Sequence, residues 1–230
     1  MSKTFLFAGA SSVIAKETAI LLKEKGHQVV AISTKETDGL YDNLYRVKSY
    51  DFGQFPALDT PLDGLVYFPG TINLKPFARL TPEEFLNDFR VNTLGAIAFI
   101  QCYLPNVKKT SSASIVLLSS VAANIGLPFH TSIAMAKGGI EGFSKALAAE
   151  LAPSIRVNCV APSLVNTPLG EKFLNTPEKI EQMQKRNPMK QVGNPMDVAN
   201  AISFLLGDTS SWVTGQVLAI DGGMSTIKNN

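Results

Sequence analysis

The sequence predicts a doubly wound α/β fold, in which a mostly seven-stranded parallel sheet lies between helices on both faces, giving three layers. Short apolar segments alternate with helical patterns along the chain, an order that is typical of parallel sheets covered by helices. The segment Ser114-Ile115-Val116-Leu117-Leu118 is almost entirely apolar, as a strand covered on both faces should be. A chain of 230 residues is long enough for one such domain.

The individual elements follow from the same alternation. We expect strands over residues 4–8, 28–33, 45–49, 64–68, 114–119, 155–160 and 216–220, and helices over 12–25, 82–103, 132–151 and 195–206. The segments Thr81-Pro82-Glu83-Glu84 and Asn194-Pro195-Met196-Asp197 each offer a capping residue, a first-turn proline and an early carboxylate. Residues 168–187 have a helical but polar pattern. We therefore expect a single domain over 1–230, with 163–191 as an insertion that covers a ligand.

The charge balance argues against some partners. The chain has 21 basic and 19 acidic side chains, a net charge of +2, and no run of more than two basic residues. We therefore expect neither nucleic acid nor an anionic membrane as a partner. Cys102 and Cys159 both lie in apolar contexts, which favours buried, reduced thiols over metal ligands. No segment reaches the roughly 20 apolar residues of a membrane span, so we expect a cytoplasmic protein without a metal site.

The first predicted strand ends in a glycine turn that leads into a helix, Ala8-Gly9-Ala10-Ser11-Ser12-Val13-Ile14-Ala15. Backbone N–H groups and the helix dipole favour a pyrophosphate at such a turn. Ligands of open parallel sheets bind outside the carboxyl ends of the strands. The turn therefore predicts a dinucleotide site of Rossmann type.

With these motifs, the sequence resembles the short-chain dehydrogenase/reductase family over essentially its whole length. Gly9 and Ile14 match the first glycine and the isoleucine of the family's T-G-x-x-x-G-I-G, and Asp63 and Gly70 match its iDiLVNNAG. Other matching segments are 91–95 for VNxxG, 115–120 for the strand that ends in the catalytic serine, 155–162 for IRVNxVxPG, and then 195–199, 204–206, 214–216 and 221–223. The resemblance implies hydride transfer between a nicotinamide and a carbonyl or alcohol carbon.

The resemblance also implies the catalytic residues. Ser120, Lys137 and Asn92 stand where the family has its serine, lysine and asparagine. Ile133 stands thirteen residues after Ser120, where the family has the tyrosine that transfers the proton, and no tyrosine follows Tyr103. Losing a positioned general acid typically costs on the order of 10²–10⁴ in rate. The chain is therefore expected to be a divergent member that lacks the catalytic tyrosine.

Other groups near this position offer a proton. His130 lies three residues before Ile133 and is a speculative acid, because histidine titrates near neutrality; a solvent-exposed loop histidine is the alternative. Lys137 acting through water is another candidate, whereas Tyr67 is better explained by packing. Dienoyl reductases of the family work without the standard tyrosine, so its absence does not by itself predict an inert protein.

The cofactor is expected to be NADP or NAD, and we favour NADP. The second strand ends in Ile32-Ser33-Thr34-Lys35, without the carboxylate that binds the ribose hydroxyls of NAD. Val13 replaces the second glycine of the family turn, so we expect it to resist a positive φ angle, to crowd the cofactor and to weaken binding. The predicted cofactor contacts are Gly9, Ser11, Ser12, Val13, Ile14, Ser33, Thr34, Lys35, Asp51, Phe52, Pro69, Gly70, Asn92, Lys137, Pro162, Val165 and Thr167.

Two functions remain open from the sequence. One is an NAD(P)(H)-dependent oxidoreductase that acts on a small carbonyl, alcohol or enone. The other is a catalytically silent nucleotide-binding or interaction protein on the same fold. The family resemblance implies a homotetramer or homodimer, paired through helices 82–103 and 132–151. The substrate itself is unknown, and its determinants are expected in 163–191 and around Leu127-Pro128-Phe129.

Overall fold

The structure, a computed structural model, describes residues 2–37 and 39–228. Over these residues, seven strands form one parallel sheet in the order β3-β2-β1-β4-β5-β6-β7. The strands are β1 (Thr4–Ala8), β2 (Gln28–Ser33), β3 (Asn43–Arg46), β4 (Gly64–Tyr67), β5 (Ala113–Leu118), β6 (Ile155–Pro162) and β7 (Val217–Ile220). The helices are α1 (Val13–Glu24), α2 (Pro82–Phe89), α3 (Gly95–Val107), α4 (Thr131–Leu151), α5 (Pro177–Arg186) and α6 (Pro195–Leu206).

The sheet has a buried core on each face, because successive side chains of a strand point to opposite sides. On one face, alternate strand residues such as Leu6 and Ile115 pack against α3 and α4. On the other, Phe7 and Val116 pack against α1 and α6. These two cores confirm the doubly wound Rossmann-type fold in three layers. None of the described helices is both long and apolar enough to cross a bilayer.

Most predicted elements agree with the structure to within two residues, but the expectation of one continuous helix over 82–103 is wrong. Between α2 and α3, residues Arg90–Leu94 form a π-helical turn. The Tyr67 hydroxyl donates a 2.7 Å hydrogen bond to the Val91 carbonyl within this turn. A wider turn of this kind frequently marks a functional site in a helix, and this one contains Asn92.

Glycine at position 95 makes room for that hydrogen bond. A Cβ atom on Gly95 would lie 2.1 Å from the Tyr67 hydroxyl oxygen, which is far inside van der Waals contact. Tyr67 is 2% exposed, and burial raises the pKa of its hydroxyl above the ordinary value. These findings agree with a packing role for Tyr67.

Three further expectations need correction. β3 covers 43–46 instead of 45–49, because this exposed edge strand follows the register of β2, in which Val30 pairs with Asn43 and Ser33 with Arg46. Within 168–187 the only α-helix is α5, which begins after the Thr176 cap and Pro177. Cys159 is buried as expected, but Cys102 is exposed.

The Gly95 contact can be tested with a double-mutant cycle. Gly95→Ala should lower the free energy of unfolding by about 1–3 kcal/mol, the usual effect of overpacking. The loss should be smaller in a Tyr67→Phe background, which lacks the hydroxyl. Gly126→Ala is the matched control, because no atom lies within 4 Å of its added Cβ. Urea denaturation gives the free energy of unfolding of the four proteins of the cycle and of the Gly126→Ala control. An equal Gly95→Ala loss in both backgrounds would contradict this packing account.

Candidate active site

The carboxyl ends of the parallel strands lie along one edge of the sheet, and the glycine turn occupies its centre. Gly9 follows β1 with φ +85°, a conformation that favours glycine. A Cβ atom at Gly9 would lie 2.8 Å from Cδ of Pro69, which follows β4. Gly9 is thus required both by its backbone conformation and by the close approach of the next strand's loop.

The helix after this turn is open to an anion. Ser12 is the N-cap of α1, and its side chain makes no capping hydrogen bond, while Ser11 is exposed. The Lys16 N–H bonds back to the Ser12 carbonyl at 3.0 Å, and the amides of the first turn before it have no helical acceptor. The first turn of α1, which includes Ile14, can therefore accept a phosphate.

Val13 does not strain this turn. It is the first residue of α1, and Phe129 and Lys190 are the non-glycine residues with positive φ among those described. The expectation that a β-branched residue resists a positive φ at position 13 is therefore wrong, because the position needs none. The half-buried side chain of Val13 remains as added bulk beside the turn.

Asn92 and Lys137 meet on either side of Gly70. A Cβ atom on Gly70 would lie 3.1 Å from Oδ1 of Asn92 and 3.5 Å from Nζ of Lys137. The Lys137 ammonium donates a 2.8 Å hydrogen bond to the Leu118 carbonyl at the end of β5. The π-helical turn, the loop after β4, and α4 thus bring these three predicted residues together.

Lys137 is a buried ammonium. It is 7% exposed, and no carboxylate lies within 4.0 Å of it among the described residues. Burial lowers the pKa of Lys137 to about 8, because a low-dielectric environment disfavours the charged form. Lys137 can therefore give up a proton more readily than an ordinary lysine.

Ser120 and Ile133 complete the predicted set. The Ser120 hydroxyl oxygen accepts a 3.2 Å hydrogen bond from the Ala122 N–H, which leaves its own proton for a substrate oxygen. Ile133 lies one helical turn before Lys137 on the same face of α4 and is 4% exposed. The structure thus has a hydroxyl group and a lysine at this edge, with an apolar side chain at position 133, where the resemblance implies the tyrosine.

His130 is less suited to donate a proton. It lies at the N-cap of α4, and its Nδ1 is 2.7 Å from the Pro128 carbonyl oxygen. Because a carbonyl can only accept, Nδ1 carries the hydrogen of that bond. Nε2 is then the remaining nitrogen, and it can donate only when the ring is an imidazolium.

The adenosine end of the edge contains a residue that the sequence did not indicate. Ser33 is fully buried, whereas Lys35 is exposed. Arg46 pairs with Ser33 across β2 and β3, and its guanidinium donates a 3.2 Å hydrogen bond to the Thr34 carbonyl. Two cations therefore lie near the end of β2, and the Arg46 guanidinium is also 3.8 Å from a carboxylate oxygen of Glu36. Arg46 could have been found only with the correct register of β3.

Asp51 is held by Arg90, a second residue that no sequence motif indicated. The Arg90 guanidinium contacts both carboxylate oxygens of Asp51, with its Nε 2.8 Å from Oδ1. Hydrogen bonds from Arg90 and then from Ser49 lower the pKa of Asp51 below its ordinary value. Phe52 follows with 54% of its surface exposed. Of these two predicted cofactor contacts, Asp51 is thus held in place by Arg90, and Phe52 is exposed.

The segment after β6 borders the other end of the site. β6 ends at Pro162, and Val165 forms an isolated parallel bridge with Gly193. The Thr167 hydroxyl lies 3.5 Å from the Val165 carbonyl. This bridge fixes both ends of the segment that was expected to cover a ligand.

That segment contacts the loop after β4 through Lys172, whose ammonium donates a 3.0 Å hydrogen bond to the Ile72 carbonyl. Cavities of about 400 and 390 Å³ lie on either side of Lys172. The first is lined by Ile72, Pro168, Leu169, Glu171, Lys172 and Asn175, and the second by Leu74, Lys172, Phe173, Lys179, Gln182 and Met183. Both are open depressions of the surface, and neither is lined by Asn92, Ser120 or Lys137.

The residues present fit a dinucleotide. The buried ammonium of Lys137 faces the space that Gly70 leaves empty, and the first turn of α1 offers amides to a phosphate. No group of three or more His, Cys, Asp or Glu side chains in the described part of the chain could hold a metal ion. Lys137 and Asn92 would hold the nicotinamide ribose, and Lys35 and Arg46 would lie at the adenosine end.

Comparisons with known proteins agree with this geometry. The sequence model of the enoyl-(acyl carrier protein) reductase family matches residues 56–225. The chain is 36% identical over 242 residues to the 3-oxoacyl-[acyl-carrier-protein] reductase FabG of Thermotoga maritima, covering 96% of this chain and 97% of that protein. It is 32% identical over 241 residues to the L-xylulose reductase of Caenorhabditis elegans, covering 97% and 96%.

Solved structures share the fold. The ligand-free aldohexose dehydrogenase of Thermoplasma acidophilum superposes with a TM-score of 0.89 at 24% identity, covering 100% of this chain and 97% of that one. The NADP-bound structure of ElxO gives a TM-score of 0.85 at 25% identity, covering 97% and 99%. The chain thus shares the doubly wound α/β fold of these proteins. The chain belongs to the short-chain dehydrogenase/reductase family.

Proposed function

We propose that the protein is an NAD(P)(H)-dependent oxidoreductase that acts on a small carbonyl or alcohol, or on an enone. Three findings support this function: membership of an oxidoreductase family, the meeting of Asn92 and Lys137 at Gly70, and the unused hydroxyl proton of Ser120. The nicotinamide, when bound, supplies or accepts the hydride. The chain must then supply the proton that balances it.

Lys137 is the best proton donor that the chain offers. In the reducing direction, the substrate oxygen gains a proton as its carbon gains the hydride, and Ser120 orients that oxygen through its O–H. Isoleucine at position 133 cannot exchange a proton. The Lys137 ammonium is buried, has no acidic partner among the described residues and has a pKa lowered to about 8 by burial, close to the range in which general acids work best. We assign the proton to Nζ of Lys137, transferred directly or through one water.

This assignment is carried by one observation, the burial of the Lys137 ammonium beside Gly70. His130 is the weaker candidate, because its Nδ1 is engaged by the Pro128 carbonyl. A silent nucleotide-binding or interaction protein is the second candidate function. It is favoured by the apolar, 4% exposed side chain of Ile133 and by the bulk of Val13 beside the phosphate turn.

A homotetramer or homodimer remains the proposed assembly, with α4 as the pairing helix. Gly138 and Gly142 have no atom within 4 Å of an added Cβ, whereas Gly139 faces Phe89 and Thr93 of the same chain. Of the small residues on α4, Gly138 and Gly142 therefore lie on the side that is open to a second copy. A small organic molecule is the proposed substrate.

The function is tested by binding followed by turnover. We expect NADPH or NADH to bind, as measured by nucleotide fluorescence, and to be oxidised slowly with a panel of ketones, aldehydes and enones. Ile133→Tyr should raise carbonyl reduction by about tenfold or more, since a positioned acid contributes on the order of 10²–10⁴. Binding without turnover in both proteins would favour the silent function. Absence of binding would contradict the oxidoreductase and leave only an interaction protein.

Arg46 should set the preference between the two nucleotides. We propose NADP(H), because a 2′-phosphate at the end of β2 would meet Arg46 and Lys35, and guanidinium–phosphate pairs are among the strong hydrogen bonds. Arg46→Gln should raise the dissociation constant of NADPH by about tenfold, or roughly 1.4 kcal/mol, and leave that of NADH nearly unchanged.

Lys109→Gln is the control for Arg46→Gln. It removes one positive charge at the opposite edge of the sheet, where the Lys109 ammonium bonds to the Asp59 carbonyl. Isothermal titration of both nucleotides compares the variants. Equal losses of NADPH and NADH affinity in Arg46→Gln, or an equal NADPH loss in Lys109→Gln, would argue against a 2′-phosphate site.

A further inference from the structure

A buried carboxylate lies next to the candidate active site without a cationic partner. Asp88, near the end of α2, is 1% exposed. No lysine, arginine or histidine forms an ion pair with it among the described residues. Removing a carboxylate from water is expensive unless hydrogen bonds compensate. A side chain of this kind therefore needs an explanation beyond filling space, which an apolar residue would do at lower cost.

Two hydroxyl groups compensate the carboxylate. The Thr71 hydroxyl donates to Oδ1 of Asp88 at 2.6 Å, and the Ser132 hydroxyl donates to Oδ2, also at 2.6 Å. These lengths are typical of O–H···O⁻ hydrogen bonds, which are about twice as strong as neutral ones. Asp88 thereby joins α2 to the loop after β4 and to the first turn of α4.

The hydrogen bonds continue from Thr71 to the site. The Asn92 side-chain amide donates to the Thr71 hydroxyl oxygen and to the Asp88 carbonyl, at 2.8 Å each. The Thr71 N–H donates to Oδ1 of Asn92 at 3.3 Å. Because the Thr71 oxygen receives a hydrogen from Asn92, its own single proton must go to Asp88. A carboxylate, which only accepts, fixes the direction of every bond in this chain.

The fixed direction has a consequence at the site. With both N–H groups of Asn92 used inside the protein, its Oδ1 is turned to the side of Gly70, where Lys137 also lies. If residue 88 offered a donor to Thr71, the Thr71 proton would turn away and compete with the Asn92 amide. The Asn92 side chain could then rotate, and its Oδ1 would move away from the space beside Gly70 that Lys137 also lines.

We propose that Asp88 is a positioning residue, which acts through the Thr71 hydroxyl to orient Asn92 and through the Ser132 hydroxyl to hold the start of α4 beside Ile133. This inference rests on the proposed function. It adds the Asp88 carboxylate and the Thr71 and Ser132 hydroxyls to the groups that determine the geometry around Lys137. They act through Asn92 and the start of α4, and we expect the main effect on kcat rather than on the KM for the substrate.

The test compares four variants with the wild-type protein. Asp88→Asn and Thr71→Val each disrupt the hydrogen-bond network while keeping the size of the side chain. Both should lower kcat at least tenfold, with the KM for the substrate changed less than threefold. Thr71→Ser keeps the hydroxyl and should recover most of the rate lost in Thr71→Val. Asp63→Asn is the control, because Asp63 caps the Thr4 N–H at the opposite edge of the sheet.

The Asp88→Asn/Thr71→Val double variant should lose no more activity than the more affected single variant, since both changes disrupt the same series of hydrogen bonds. Separate losses that multiply would overturn the proposal. So would a folded Asp88→Asn protein with a lower melting temperature and wild-type kcat, because that result means a purely structural carboxylate.

Side-chain amide NMR keeps the proposal testable if the wild-type protein shows no turnover, which would count against the proposed function alone. The Asn92 amide protons should exchange slowly in the wild type and in Thr71→Ser, and at least tenfold faster in Asp88→Asn and Thr71→Val. Asp63→Asn should leave them unchanged. Equal Asn92 exchange in all five proteins would show that Asp88 does not orient Asn92.

Discussion

The parallel register of the sheet is the constraint on which the site depends. Ala8 pairs with Tyr67, and Tyr67 pairs with Leu117, so the strands that lead to the glycine turn, the Gly70 loop and Ser120 end at nearly the same level. Lys137 reaches this level from α4 and bonds to the carbonyl of Leu118, the last residue of β5. A shift of one residue in any of these strands would exchange its two faces and separate the groups.

At this edge, burial lowers the pKa of Lys137 to about 8. A lysine in water holds its proton too firmly to act as an acid near neutrality, whereas burial without a carboxylate disfavours the ammonium. Burying this ammonium costs the fold stability. Ionisable side chains with a pKa shifted in this way cluster at functional sites. Position 133, where the family resemblance implies a tyrosine, holds isoleucine, and Lys137 is the group from which we propose that a proton leaves.

Much of this arrangement could be predicted from the sequence, because its signals are local. Short segments contain the glycine turn at Gly9, the Asn92 motif and the spacing of Ser120 to Lys137. The alternation of apolar segments with helical patterns predicts the parallel sheet. The π-helical turn could not be predicted, since the apolar pattern runs through 82–103 without interruption. Within this turn the Val91 carbonyl accepts a hydrogen bond from the Tyr67 hydroxyl, which lies on a strand 24 residues earlier in the chain.

The polar network was missed for a related reason. Asp88 bonds to Thr71 and Ser132, which lie 17 and 44 residues away in sequence, and an acidic residue in an amphipathic helix is usually on its solvated face. Arg46 was missed because its place depends on the register of an exposed edge strand. In each case the position of the side chain is set by a contact between two segments that are distant in sequence. The sequence of either segment alone does not indicate that contact.

The pH dependence of single-turnover nucleotide oxidation tests the central claim, that Lys137 supplies the proton. Burial lowers the pKa of Lys137 to about 8, and the protonated form is the donor. The rate of substrate reduction should therefore be level below that pH and fall as pH rises through it, by about tenfold per unit. Lys137→Met should abolish the dependence together with most of the rate. A rate that stays level to about pH 10, or falls already between about pH 6 and 7 as a histidine acid would require, would contradict the account.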